Sequence, residues 1–226
     1  MAKTSAVRIP HAVSLVMALV IASCEGQEAA PLSNKTMLAN STEGQSETGA
    51  RRRDGPFGIA MGQSAEDLEG KETKVGWYEI SSVPKPHSMF NTVMVQATKS
   101  NGVCFVKGIS DSFPSDSNGL AAIIQADKIK RQLDGKYGRS KELAFLVPGS
   151  IWNEPEDWMM AMLKGERRQA WEWAGPSTEL DRHSLDSVAL GITAVATDEV
   201  SLYVEYYFKN SKKCDAELEA LEATAL

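Results

Sequence analysis

Apolar and polar positions follow two different periods along the second half of this chain. From Thr92 to Thr98, Val93, Val95 and Ala97 alternate with Thr92, Met94 and Gln96, and Val103 to Ile109 is strand-like as well. Strand side chains point to opposite faces in turn, so a period of two predicts strands with one buried face. Lys99-Ser100-Asn101-Gly102 separates the two segments, and Asn-Gly suits the positive φ angles of a tight turn. The pair therefore predicts a β-hairpin. Val188–196 and Val200–208 predict a second one, turning at Thr197-Asp198-Glu199. Between the hairpins the period lengthens. Ala122, Ala126, Ile129, Leu133 and Tyr137 recur at three- and four-residue steps, which predicts an amphipathic helix stopping at Gly138.

Shorter signals fill the gaps. Ser64 is placed to start a short helix through Ala65, Glu66, Asp67 and Leu68, and residues 75–83 predict one strand ending at Pro84. Residues 143–147 form a short apolar run. Asn153-Glu154-Pro155-Glu156 has the make-up of a helix start, with Asn153 as cap and Trp158, Met159, Met162 and Leu163 as the buried stripe. Residues 169–174 predict a strand with Trp171 and Trp173 on one face. Residues 215–226 predict an acidic helix with Leu218 and Leu221 on one side. Strands joined by tight turns imply an antiparallel sheet, and helices gathered mid-chain imply packing on one face. The expected fold is α+β: an antiparallel sheet built from two β-hairpins, with helices packed on one face, in a single domain over residues 55–226.

The first 54 residues have a different character. Residues 1–11 carry Lys3 and Arg8 and no acid, and residues 12–22 are apolar except for Ser14. A basic start, a short apolar run and a small-residue exit describe a secretory signal over residues 1–23. Crossing a membrane takes about 20 apolar residues, so this run reads as a signal and not an anchoring helix. Ile21-Ala22-Ser23-Cys24 resembles the lipobox of bacterial lipoproteins. The resemblance implies a diacylglyceryl group on Cys24, cleavage just before it, and a membrane anchor of several acyl chains. With Glu25 following the cysteine, it further implies the outer membrane, facing the periplasm. The alternative is ordinary cleavage near Ser23, which yields a soluble periplasmic or secreted protein. Residues 24–54 are then a lipidated cysteine and a polar tether. Few large apolar residues beyond Leu32, Met37 and Leu38 occur there, too few to offset chain entropy. Arg51-Arg52-Arg53 closes it as a solvated charge run.

Charge and cysteine sharpen this outline. The chain carries 24 Lys and Arg against 30 Asp and Glu, a net charge of −6. Loss of the signal leaves 22 basic residues against 30 acids, a net charge of −8. An acidic surface argues against nucleic acid, whose phosphates are met by Lys and Arg. Of three cysteines, acylation of Cys24 leaves Cys104 and Cys214 as one pair. An exported protein meets an oxidising compartment, so these two are expected to form a disulfide, the alternative being two buried thiols.

Candidate chemistry is sparse. Past the signal the only histidines are His87 and His183, and neither HExxH nor CxxC occurs, so no metal site and no cofactor is implied. There is no Gly-x-Ser-x-Gly, no Walker pattern and no Gly-x-Gly-x-x-Gly. The acids Glu154, Glu156 and Asp157 fit a helix start better than glycoside chemistry. Trp77, Trp152, Trp158, Trp171 and Trp173 remain, either as core or as a groove for sugars or peptides. Trp152, Trp158 and Arg167 are the candidate binding surface, Arg167 and Arg168 lying at its flank. Phe57-Gly58-Ile59-Ala60-Met61-Gly62-Gln63-Ser64-Ala65-Glu66-Asp67-Leu68 resembles the start of bacterial exported proteins. It is also similar to small α+β envelope lipoproteins, including that of the outer-membrane β-barrel assembly machine. This likeness covers twelve residues and implies an envelope setting with a protein-binding role. The expected function is an exported envelope lipoprotein with a tethered, non-enzymatic domain that binds an envelope protein or glycan. The alternative is a periplasmic or secreted hydrolase using acids or His87.

Overall fold

A computed structural model describes residues 55–224. The signal stretch, Cys24, the tether and Arg51–53 lie outside the described residues. The strands are β1 (Gly70–Lys74), β2 (Trp77–Ile80), β3 (Thr92–Thr98), β4 (Gly102–Ile109), β5 (Phe113–Pro114), β6 (Lys141–Leu146), β7 (Arg167–Ala174), β8 (Leu185–Ala194) and β9 (Glu199–Phe208). The α-helices are α1 (Leu120–Tyr137), α2 (Trp158–Leu163), α3 (Thr178–Arg182) and α4 (Ser211–Ala223).

The fold is mixed α+β, and all nine strands join one antiparallel sheet in the order β1-β2-β3-β4-β9-β8-β7-β6, with short β5 paired to β9. Each half of the sheet is a four-strand meander, β1–β4 and β6–β9. The halves meet where β4 pairs with β9, Val106 opposite Tyr206 and Gly108 opposite Val204. Both predicted hairpins are present as β3–β4 and β8–β9, but they are the centre of a larger sheet and not its whole. Of the segment 75–83, expected as one strand, only Trp77–Ile80 is strand, as β2, and Val75-Gly76 is the turn that joins it to β1 upstream. β1 reads Gly-Lys-Glu-Thr-Lys, with no apolar alternation to announce it. It exists because β2 offers it a ladder partner at the sheet's edge.

Directly opposed residues share a face, so the register sorts the side chains. Ile80, Val93, Gly108, Val204, Leu190 and Trp171 follow one another across the sheet on one face, and Tyr78, Val95, Val106, Tyr206, Val188 and Trp173 run alongside. This face is the core. The stripe Ala122, Ala126, Ile129, Leu133 and Tyr137 of α1 packs there with Trp158 and Met159 of α2, Leu180 of α3, and Phe90. Phe57, from the opening motif, stands edge-on to Phe90 and Tyr206, with centroids 6.1 Å apart in each case. Ser64 Oγ accepts the Glu66 amide at 3.1 Å and starts a single 3-10 turn over Glu66–Leu68.

The start of α2 differs from expectation. Asn153 does not cap it. Its amide donates to the Ser150 carbonyl at 3.1 Å, and a 3-10 turn over Pro155–Asp157 precedes the helix. The buried residues of α2 are Trp158, Met159 and Ala161, while Leu163 reaches solvent. The Met159 amide finds the Ser117 carbonyl at 3.0 Å.

Helix α4 does not share the core face. It begins earlier than the sequence suggested, at Ser211, and takes Cys214 into its first turn. Cys214 and Cys104 lie at bonding distance, with Cα atoms 6.4 Å apart, and form a disulfide. Cys104 sits at a bulge where the β3–β4 register shifts, beside Gln96, whose side chain faces away from the core. The predicted Asn101-Gly102 turn supplies the rest of the dock. Glu217 accepts hydrogen bonds from Thr98 Oγ1 (2.6 Å), the Ser100 amide (3.2 Å) and Asn101 Nδ2 (2.8 Å). These bonds favour the carboxylate and hold its pKa below the usual range.

Candidate functional site

The side chains out of phase with that core lie on the other face of the sheet, where Cys214 and Glu217 of α4 dock. Register lays its side chains out in rows. Trp77, Gln96, Phe105 and Tyr207 are successive neighbours across β2, β3, β4 and β9. One step along, Glu79, Met94, Lys107 and Glu205 form the next row, followed by Thr92, Ile109, Tyr203 and Gly191. An aromatic row and a charged row thus lie side by side.

Phe105 is the floor of the first row, only 5% exposed. Trp77 stands edge-on to it at a centroid distance of 5.5 Å, and Tyr207 does so from the other side at 4.8 Å. Edge-to-face packing matches the positive rim of one ring to the negative face of the next, and it fixes three rings in one relief. The charged row fixes its own geometry. Lys107 Nζ lies 2.9 Å from Glu205 Oε1 and 4.7 Å above the Tyr203 ring. Lys74 caps the Trp77 ring at 4.8 Å. The Tyr207 hydroxyl donates to Glu205 at 3.2 Å, and burial, reinforced by the Glu205 carboxylate, pushes its pKa up to about 12. Tyr203 lies so flat on the sheet that a Cβ on Gly191 would sit 2.3 Å from its hydroxyl oxygen. Only glycine lets the ring down onto β8.

Lys74, Trp77, Gln96, Phe105, Lys107, Glu205 and Tyr207 line an open groove of about 460 Å³ bounded by Asp215 at the start of α4. A second hollow of about 440 Å³ shares Lys74, Trp77, Gln96 and Asp215 and continues past Leu218, Glu219 and Glu222. Together they form a trench between sheet and helix. Its size is that of an ordinary small-ligand site. Its far wall is α4, so the disulfide and the Glu217 dock set the trench's width.

The sequence-predicted candidates fall elsewhere. Trp158 is 6% exposed and packs over Gly119, where an added Cβ would meet its ring at 2.1 Å. It is core, and it cannot present a binding surface. Trp171 and Trp173 are core too. The Trp173 indole donates to Asp134 Oδ1 (3.1 Å) and to the Gly138 carbonyl (2.9 Å), tying β7 to the end of α1. Trp152 is half-buried in the loop before α2, and Arg167 begins β7 opposite Leu146. None of the three lines the trench. Of the five tryptophans only Trp77 does.

His87 is a turn residue. Its Nδ1 accepts the Met89 amide at 3.1 Å, and its Nε2 lies 3.2 Å from Gln132 Oε1. His183 stands edge-on to Tyr137, centroids 6.4 Å apart. Glu154 and Glu156 are exposed around the 3-10 turn. Among the described residues no three His, Cys, Asp or Glu gather as a metal site, and no helix is long and apolar enough to cross a membrane. Two buried phenols, Tyr137 and Tyr206, have their pKa values driven upward by desolvation, and both sit in the core and not in a cleft.

Phe105, Tyr203 and Tyr207 are not among the aromatic candidates that the sequence singles out, all of which are tryptophans. The signal was present. In β4 and β9 the positions out of phase with the core valines are Phe105-Lys107-Ile109 and Tyr203-Glu205-Tyr207, and solvent-facing positions rarely need three rings. Comparison with known proteins found no family model, no curated protein and no solved structure that matches this chain.

Proposed function

We propose that this chain is an exported envelope lipoprotein, anchored through Cys24, whose domain is a non-enzymatic module binding a neutral glycan in the trench between the sheet and α4. The observation that carries the binding role is the Trp77–Phe105–Tyr207 relief on the solvent side of the sheet, flanked by Gln96, Lys107, Glu205 and Asp215. A pyranose has an apolar C–H face and a rim of hydroxyls. Aromatic rings suit the first, and amide, ammonium and carboxylate side chains suit the second. The anchor rests on the lipobox resemblance and the basic–apolar–small order of residues 1–24. After cleavage the 22 basic and 30 acidic residues give a net charge of −8, which favours neutral over acidic sugars.

Isothermal titration of the full chain with neutral oligosaccharides, chitooligosaccharides among them, tests the ligand. Binding is expected, with about a 10-fold loss in Trp77→Ala, a change of roughly 1.4 kcal/mol. Trp152→Ala is expected to bind as the parent does. Absence of heat across the panel, or equal affinity in Trp77→Ala, removes the glycan assignment. Release of new reducing ends turns the module into the hydrolase alternative. Mass spectrometry of the mature N-terminus tests the anchor separately, and an unacylated Cys24 overturns it.

A further inference from the structure

The sheet has two free edges among the described residues, and they are built differently. At β1 the edge carries Lys71, Glu72 and Lys74 and breaks register between Glu72 and Lys74. Charges and a bulge are how a sheet refuses a new strand. At β6 the register to β7 is unbroken, and Leu143, Phe145 and Leu146 follow Lys141 and Glu142. Phe145 is 52% exposed, and Val147 just beyond is 40% exposed. This edge has no bulge, and past Lys141 and Glu142 it carries no charge before Pro148.

Its hydrogen-bonding groups can be placed. The Val147 amide donates to the Glu166 carbonyl at 2.7 Å, so Val147 faces β7. In an antiparallel ladder the direction alternates, hence Phe145, Leu143 and Lys141 also face β7. The N–H and C=O groups of Glu142, Ala144 and Leu146 point outward, away from the sheet. Pro148 follows and ends the edge.

We propose that β6 pairs with β6 of a second copy of this chain, antiparallel about a two-fold axis at Ala144. The register follows from parity. A two-fold axis normal to the sheet keeps each face on its own side, so paired positions must differ by an even number. Centring on Ala144 sets Ala144 against Ala144, and Glu142 against Leu146 twice. These are the outward-pointing residues, giving roughly six backbone hydrogen bonds. The same centring sets Leu143 opposite Phe145 twice, in the non-hydrogen-bonded pairs where side chains approach most closely. Leu143 and Phe145 on the solvent face of β6 thereby cover each other. Centring on Leu143 sets Phe145 against Lys141 instead, and centring on Phe145 runs Glu142 into Pro148. The edge is complementary to itself, which points to a second copy and not to an unrelated strand.

Sedimentation of the full chain at rising concentration, in a Cys24→Ser background that removes the unpaired thiol, is expected to show a monomer–dimer equilibrium. Ala144→Pro deletes an outward N–H without touching the β7 ladder, and it is expected to abolish the dimer while leaving the fold's circular dichroism unchanged. Register is read independently. Ala144→Cys places two thiols across the axis with Cα atoms about 5.5 Å apart, within disulfide range, and is expected to form a reducible dimer on mild oxidation. Glu142→Cys alone is expected to stay uncrosslinked, and Glu142→Cys with Leu146→Cys to crosslink. A chain that sediments as a monomer throughout overturns the pairing. So does a dimer that survives Ala144→Pro, or an Ala144→Cys chain that stays single under oxidation.

Discussion

Removing the Cys104–Cys214 bond is the perturbation whose cost the structure defines best. The two cysteines are 110 residues apart. In the chain-entropy model a cross-link over such a loop narrows the unfolded ensemble by about 5 kcal/mol at room temperature. A domain of this size shifts its melting point by roughly 2–4 °C per kcal/mol, so reduction is expected to lower Tm by roughly 10–20 °C. The folded state keeps other ties after reduction. Glu217 still holds the β3–β4 turn, and Asn210 Nδ2 still donates to the carbonyls of Asn101 (3.0 Å) and Val103 (3.1 Å). Helix α4 is therefore expected to stay docked in the reduced native state, with the loss appearing as earlier global unfolding. Both sulfurs are buried, so a mild reductant reaches them only through local opening. The assay is urea unfolding of oxidised chain against chain reduced in denaturant and refolded with thiol present. A shift below about 1 kcal/mol would falsify the loop argument. Alkylation of both cysteines in unfolded, unreduced protein would remove the bond itself.

Two substitutions test how the core is tied together. Trp173→Phe deletes the indole N–H that bridges Asp134 and Gly138 and leaves a void beside α1; a loss of about 2–3 kcal/mol is expected by urea unfolding, and an unchanged midpoint contradicts the assigned bridge. Gly119→Ala forces a side chain at φ 70° into the Trp158 ring, and about 3 kcal/mol of destabilisation with a changed near-ultraviolet dichroism is expected, a neutral effect showing that Trp158 is not packed there.

The part of the fold that could be read from the chain is the part whose sequence signal is local. The Asn101-Gly102 hairpin needs only its turn and its alternation, and α1 needs only the spacing of Ala122, Ala126, Ile129, Leu133 and Tyr137, the five residues it buries. β1 could not be read, because Lys71, Glu72 and Lys74 carry no pattern and the strand is called into being by β2. Helix α4 was half-legible: its acidic, leucine-bearing stretch announced a helix, but Cys214 belongs to it because a sulfur 110 residues away does. The site follows the same rule. Alternation in β4 and β9 separates core from solvent positions within each strand. It does not reveal that Trp77, Phe105 and Tyr207 stand in one row, since that depends on three registers at once. Trp158 shows the converse. Local spacing already sets it in a buried stripe with Met159, and Gly119, far upstream, leaves room for its ring.

The tyrosines give a last test in which the core and the trench are seen by one titration. Tyr78, Tyr137, Tyr206 and Tyr207 all have phenol pKa values raised above the ordinary 10.0, burial being the main cause each time. A phenol is neutral when protonated, so the folded state holds these protons more tightly than the unfolded chain does. The stability this represents is complete below pH 10 and is lost as pH rises through the folded values, Tyr207 at about 12 among them. Phenolate absorbance followed against pH is therefore expected to lag in the native protein, and then to rise steeply as alkaline unfolding releases Tyr137 and Tyr206 together. In urea the same chain is expected to titrate in one step near pH 10. Tyr207→Phe separates the two regions. It removes the trench phenol, whose hydroxyl donates to Glu205, and leaves the cooperative step of the core in place. A native chain whose tyrosines all ionise near pH 10 without unfolding would mean that Tyr137 and Tyr206 are wet, and with that the packing of α1 on the sheet would fall.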